Sequence, residues 1–236
     1  MSYLIIELYV RGKSGLGLYV FDIYRNPNIG IFAKASDDYL LLPQGYARPK
    51  ADKLASLINS KAVFTSIGYT RLLGPLVSLN NKGILVSRFA SDEEIFNLKK
   101  QTGLNVQRFN SQYSSVGNLV SANDYGAIVS PLLNERDISQ VKEVLQVQVC
   151  RISIAGMMQV GSILIASNKG SLVHPKANQD EINQISDMLK VDCEPGSVNG
   201  GVPYVASGLI VNSKGAIVGS QTVGPEMFII TKAFKL

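Results

Sequence analysis

Apolar and polar positions follow a fixed order across residues 160–189, VGSILIASNKGSLVHPKANQDEINQISDML. An apolar run over 163–166 ends in Ser167-Asn168-Lys169-Gly170. A second run over 172–174 stops at Pro175. From Asn178 apolar residues return at helical spacing: Ile182, Ile185, Met188 and Leu189. The pattern predicts strand, tight turn, strand, helix.

The same order recurs along the chain, which makes the internal repeat the first fact to establish. Gly30, Gly74, Gly117, Gly161 and Gly208 open successive strand pairs, 44, 43, 44 and 47 residues apart. Turns follow at matching places: Asn81-Lys82-Gly83, Asp124-Tyr125-Gly126, Asn168-Lys169-Gly170 and Ser213-Lys214-Gly215, with Asp37-Asp38-Tyr39 as a looser first copy. Gly at the end of each turn is expected to supply positive φ. Asn80, Asn123, Asn168 and Asn212 read as turn residues, and Lys82, Lys169 and Lys214 as solvated turn lysines. Helix caps Ser91, Asn134 and Asn178 each carry an acid three residues on: Glu94, Asp137 and Glu181. These acids suit a capping box and the helix dipole, and read as caps rather than paired catalytic carboxylates. The first helix is looser, with Leu54, Leu57 and Ile58 behind Pro49. No fifth helix is expected; residues 227–234 read as a final strand.

One such unit is too small to bury a core of its own, so the units must pack together. A closed ring avoids the polar caps that an open stack needs. The expectation is an α/β fold of five ββαβ-like units, over about 20–66, 67–109, 110–152, 153–197 and 198–236, forming one domain. Pairing of residues 227–234 with 18–23 is expected to close the ring. Residues 1–19 lie outside the repeat and read as an N-terminal extension.

Composition adds little to this picture and excludes more. Of 236 residues 46% are apolar, enough for a sizeable core. No run is long enough to span a bilayer, and the start lacks the basic region of a signal peptide. The two cysteines, Cys150 and Cys193, fall in different units, which fits a reducing cytoplasm better than a disulfide framework. Net charge is +5 without polybasic runs, a mild excess that permits an anionic partner without requiring one. His174, the single histidine, takes the place of Ser130 in the repeat, before a proline. Neither it nor the cysteines form a metal set or a triad, and no glycine-rich stretch ends as a phosphate loop does. The expectation is a chain without enzyme activity, cofactor or metal. What remains is surface. The loops before each opening glycine (66–71, 110–115, 153–158 and 197–203) would share one rim of a ring. That rim would carry Arg71, Arg108, Gln112, Tyr113 and Asn199, with Asn118 just behind its glycine. Connecting loops of this kind are often only solvated linkers.

Three stretches, VGNLVSANDYGAIVSP at 116–131, GSILIASNKGSLVHP at 161–175 and GSVNGGVPYVASGLIVNSKGAIVG at 196–219, together with Gly224-Pro225-Glu226, resemble the translation initiation factor 6 family, in its archaeal form. The likeness runs from about Val20 to Leu236. It implies a pentein fold, five α/β units about a pseudo-five-fold axis, acting as a monomer in the cytoplasm. It also implies a ribosome anti-association factor: one that binds the intersubunit face of the large (50S) subunit beside the sarcin–ricin loop, mainly through a ribosomal protein with some rRNA, and keeps the small (30S) subunit away. A part in late large-subunit maturation, and release by a GTPase with a maturation factor, belong to the same implication. Residue matching puts Arg108 and Asn118 near the family's ribosomal contact, with Arg71 and Asn199 on equivalent loops. Penteins also include guanidine-modifying enzymes, which use Cys, His and acids around the axis; that alternative lacks its triad here.

Overall fold

The computed structural model describes residues 17–236. The described part opens with a short strand, β1 (Leu18–Val20). The first unit follows with α1 (Ile29–Phe32), β2 (Lys34–Ala35), β3 (Tyr39–Pro43), α2 (Arg48–Leu57) and β4 (Lys61–Thr65). The second has β5 (Val77–Leu79), β6 (Gly83–Val86), α3 (Asp92–Thr102) and β7 (Asn105–Arg108). The third has α4 (Val116–Leu119), β8 (Val120–Ala122), β9 (Gly126–Val129), α5 (Glu135–Leu145) and β10 (Gln148–Arg151). The fourth has α6 (Val160–Ile163), β11 (Leu164–Ala166), β12 (Ser171–Val173), α7 (Gln179–Leu189) and β13 (Cys193–Pro195). The fifth has α8 (Val205–Gly208), β14 (Leu209–Asn212), β15 (Gly215–Val218) and α9 (Gly224–Phe234).

Each unit builds one three-stranded sheet, giving five in all. The middle strand pairs antiparallel with its hairpin partner, as in Val120 opposite Val129, and parallel with the strand after the helix, as in Cys150 opposite Ile128. The helix in between is fixed by its cap. Ser91, Asn134 and Asn178 each accept from the backbone N–H three residues on, and Glu94, Asp137 and Glu181 each accept the cap's own N–H. These are the expected capping boxes.

The fifth sheet takes its third strand from the start of the chain: β1 runs parallel to β15, with Leu18 opposite Ala216 and Val20 opposite Val218. The closing strand is therefore the expected one, but its partner is not residues 227–234. Those residues are helical, so a fifth helix exists. Its buried positions, Glu226, Ile230, Ala233 and Phe234, follow helical spacing. Val223 stands where the caps of units two to four have Ser or Asn, and the β-branched run Ile229-Ile230-Thr231 imitates a strand. Of the expected N-terminal extension, residues 1–16 lie outside the described residues, while Leu18 and Tyr19 are already strand.

Around the axis the five hairpins pack side by side, including the fifth on the first through β14 and β2. The ring is closed by these contacts, although no single sheet closes on itself. Glycines on the inside permit it. A Cβ at Gly74 would strike the Gly30 carbonyl, one at Gly117 the Gly74 carbonyl, one at Gly161 the Gly117 carbonyl, and one at Gly30 the Ala206 carbonyl. The fifth member of this set is Ala206, not Gly208, which packs on Val198 and Asn199 within its own unit.

The hairpin glycines likewise serve close approach rather than positive φ. Gly83, Gly126, Gly170 and Gly215 are absent from the positive-φ residues. They face the carbonyls of Val144, Met188, Ala233 and Leu57, at the C-terminal end of the next unit's helix. In the first unit Tyr39 takes this place, and its hydroxyl donates to the Thr102 carbonyl instead. Each unit thus packs against the end of its neighbour's helix, and four of them donate hydrogen bonds there, where carbonyls lack intrahelical partners.

Candidate functional site

The ring has two faces with different chemistry. On the hairpin face the polar groups are consumed between units. The Asn80 amide donates to the Asn123 and Leu145 carbonyls, that of Asn123 to Ser167 and Leu189, and that of Asn212 to Ser36 and Ile58. Their oxygens accept from the turn amides, so the turn role stands and a bridging role joins it. Asn168 sits one position later in the repeat, beside the axis, and donates to both Asp124 and Asp37. Lys82 and Lys214 are not simply solvated. Lys82 Nζ donates to the Asp124 and Gln146 carbonyls, and Lys214 Nζ to those of Asp37 and Asn59.

The opposite face carries the loops joining one unit to the next. Three of them are two-residue turns closed by an isolated bridge, Ile23–Asn26, Ile67–Thr70 and Ile154–Met157, and a fourth, Val198–Val202, encloses three residues. Positive φ falls here, at Tyr24, Arg25, Gly68, Tyr69, Ala155, Gly156, Asn199 and Gly200. The helix-cap acids bind these turns. Glu94 accepts from the Ser66 hydroxyl (2.7 Å) and the amides of Gly68 (2.9 Å) and Tyr69 (3.1 Å). Glu226 accepts from the Ser197 hydroxyl and the amides of Gly200 and Gly201; Glu181 accepts from Ala155, and Asp137 from the Ser111 hydroxyl. Burial alone would raise the carboxyl pKa of Glu94 and Glu226, but these donors outweigh it and hold both below the ordinary value. The cap acids are therefore also what fixes the rim.

Held this way, the rim turns point side chains outward. Tyr69 is 81% exposed. Arg71 lies with its guanidinium 5.4 Å from the centre of the Tyr24 ring, and Tyr24 packs edge-on against Phe32 and Tyr46. Phe89 abuts Gly68 and carries Arg88 over its ring at 5.3 Å. Leu72 and Phe89 are exposed. The junction of the first two units thus forms a strip of Tyr24, Arg71, Leu72, Tyr69, Phe89 and Arg88.

The six residues expected on the rim do not all belong to this strip. Arg71 does. Gln112 is exposed and Tyr113 half-buried on the third unit's loop, and Asn118 is half-buried in α4 near the axis. Arg108 is tied down: its Nε donates to the Ala90 carbonyl and it pairs with Asp92 at 2.6 Å. Asn199 is a correction. It is 6% exposed, its amide donates to the Pro27 carbonyl, and its oxygen accepts from Thr222. It welds the fifth unit to the first and offers nothing outward. Sequence gave no sign of Tyr69, Phe89 and Arg88 acting together, because they come from two separate loops.

The reactive groups are placed as structural ones. His174 Nδ1 accepts from the Lys176 amide, and burial and then the Lys176 charge lower its pKa, against Glu181. Burial pushes the Cys150 thiol up and that of Cys193 to about 11, away from the reactive thiolate. Among the described residues no His, Cys, Asp and Glu gather as a metal set, and no helix is long and apolar enough to cross a membrane. The axial cavity, about 30 Å³, is lined by the inner strands and holds one ionisable group, Lys34, in a place where other units have Ser78, Ser121, Ile165 and Ile210. Desolvation lowers that amine to about 8.

Five α/β units packed as a ring about a central axis define the fold class, that of the penteins. A family model described as the eIF-6 family matches residues 18–233, and the chain belongs to that family. The translation initiation factor 6 of Nitrosopumilus maritimus is 47% identical over 214 residues, covering 91% of this chain and 97% of the relative. That of Cenarchaeum symbiosum is 44% identical over 219 residues (93% and 99%), and that of Pyrococcus horikoshii 34% over 217 (90% and 96%). Among solved structures, the N-terminal domain of ArgZ, an arginine dihydrolase, is similar at a TM-score of 0.43 and 13% identity, over 75% of this chain and 81% of that one. A likeness that slight carries no argument about activity.

Proposed function

We propose that this chain acts in translation initiation by binding the large ribosomal subunit on its intersubunit face and excluding the small subunit. Family membership supports the setting. The observation that carries the mode of action is the rim strip of exposed Tyr24, Tyr69, Leu72 and Phe89 interleaved with Arg71 and Arg88, with the Tyr69 turn locked from behind by Glu94. Aromatic and arginine side chains on a rigid support are what protein interfaces use as anchors. The work is exclusion by a bulky closed ring and needs no reactive group. With free factor at about 100 times its dissociation constant, joining is opposed by ~2.7 kcal/mol, about a hundredfold. The contact is mostly with a ribosomal protein, so the salt dependence is modest. Release in the cell then falls to other factors, among them a GTPase.

The test is gradient co-sedimentation with separated large and small subunits. The chain is expected with the large subunit alone. Sedimentation with neither, or with the small subunit, would overturn the reading.

A further inference from the structure

The cap acid is present in units two to five and missing from the first. At the third helical position of α2, where the others have Glu94, Asp137, Glu181 and Glu226, this unit has Lys50. The groups such an acid would bind are still there. In the second unit Glu94 takes the amides of Ser91 (2.8 Å), Gly68 (2.9 Å) and Tyr69 (3.1 Å). In the fifth, Glu226 takes those of Val223 (2.9 Å), Gly200 (3.0 Å) and Gly201 (2.7 Å). The matching amides in the first unit are Ala47, Tyr24 and Arg25. Tyr24 and Arg25 form the same turn with positive φ at both residues, and none of the three amides has an acceptor among the described residues. No side chain caps α2.

Two further observations point the same way. The Tyr46 hydroxyl, on a residue 6% exposed whose ring packs against Tyr24 beneath this turn, has no hydrogen-bond partner. A buried hydroxyl left unpaired is costly and uncommon. The charges are also reversed: Lys50, Arg48 and Arg25 are exposed around the turn, and Asp22, the acid next to it in sequence, is taken by the Ser220 amide and hydroxyl.

We propose that the first unit holds an open carboxylate site, framed by the amides of Tyr24, Arg25 and Ala47 and the side chains of Lys50 and Tyr46, which receives an acidic side chain from the protein on which the ring docks. Four internal copies of the site hold a carboxylate, which favours that occupant over a phosphate. Its place beside Arg71 makes it continuous with the rim strip. The identity of the partner rests on the docking function proposed above; the site itself does not.

Two measurements on the full chain test it. The first follows backbone amide resonances during separate titrations with sodium acetate and sodium phosphate. Acetate is expected to move the Tyr24, Arg25 and Ala47 amides and leave those of Gly68 and Tyr69, already bound to Glu94, in place. Stationary amides, or movement with phosphate alone, would overturn the proposal. The second is Lys50→Glu, which restores the internal acid. It is expected to raise the melting temperature by ~2–4 °C, abolish the acetate response, and weaken large-subunit binding by about tenfold or more. An unchanged or lower melting temperature would show that the Tyr46 ring already fills the space, and would sink the site. If the native chain fails to bind large subunits, the docking function falls while the acetate titration still decides the site. If Lys50→Glu binds them as the native chain does, the acidic partner falls and the docking function stands.

Discussion

The two faces of the ring spend their polar groups differently. On the hairpin face the turn asparagines and two turn lysines reach from one unit to the next, as in Asn123 reaching Ser167 and Leu189, or Lys214 reaching Asp37 and Asn59. On the rim face the loops of units two to five are bound by a carboxylate of their own unit, and most of their side chains are left outside. One face closes the ring; the other is held still so that it can be touched. Disturbing the first should cost stability, and disturbing the outward residues of the second should cost binding.

The largest expected effect is on the hairpin face. Asn123→Ala strands two buried carbonyls and two turn amides, and should lower unfolding free energy by ~2–4 kcal/mol in urea melts. Large-subunit binding well below the melting point should survive. Glu226→Gln on the rim face should cost ~1–3 kcal/mol at neutral pH, because a charged acceptor of four donors becomes a neutral one. Its carboxyl is held below the ordinary value, so this stabilisation is complete above about pH 4.3 and is lost as pH falls through the folded pKa. Urea midpoints of native and variant chains should therefore converge in acid. Lys34→Met, in the axis and on neither face, should gain ~1–2 kcal/mol at pH 7. With its amine at about 8 in the fold, the unfolded chain binds more protons between about pH 8 and 10.5. Native stability should rise with pH across that window, and the variant should lack that rise. The smallest change in stability, within ~0.5 kcal/mol, is expected for Tyr69→Ser with Arg71→Glu, which should nevertheless weaken large-subunit binding about tenfold. Equal binding by that pair would erase the functional distinction between the faces. Arg108 is a poorer choice for this test, since its pairing with Asp92 and Ala90 makes its loss a structural change as well.

The repeat was legible because its signals are local: cap, acid and apolar spacing lie within one helix, as in Asn178, Glu181, Ile185 and Leu189. The features that sequence misplaced depend on a neighbouring unit. Gly83 and Gly126 look like turn glycines, but a helix end from the next unit dictates them. Asn199 looks like a loop residue, but its amide is committed to Pro27, 172 positions away. The helix α9 was hidden by a valine at its cap, although Glu226 follows Glu181 by 45 residues, the same interval that separates Ala206 from Gly161. The rim strip was hidden for the same reason, since Phe89 reaches Gly68 only after the second hairpin folds back, and Arg71 reaches Tyr24 only when the first two units pack.

The most direct test of a passive wedge is subunit reassociation, followed by light scattering, with this chain in saturating excess over large subunits. Coupling should fall in step with occupancy of the large subunit, and Tyr69→Ser with Arg71→Glu should need about ten times the concentration of the native chain for the same inhibition. Full coupling of subunits while every large subunit carries the factor would contradict it.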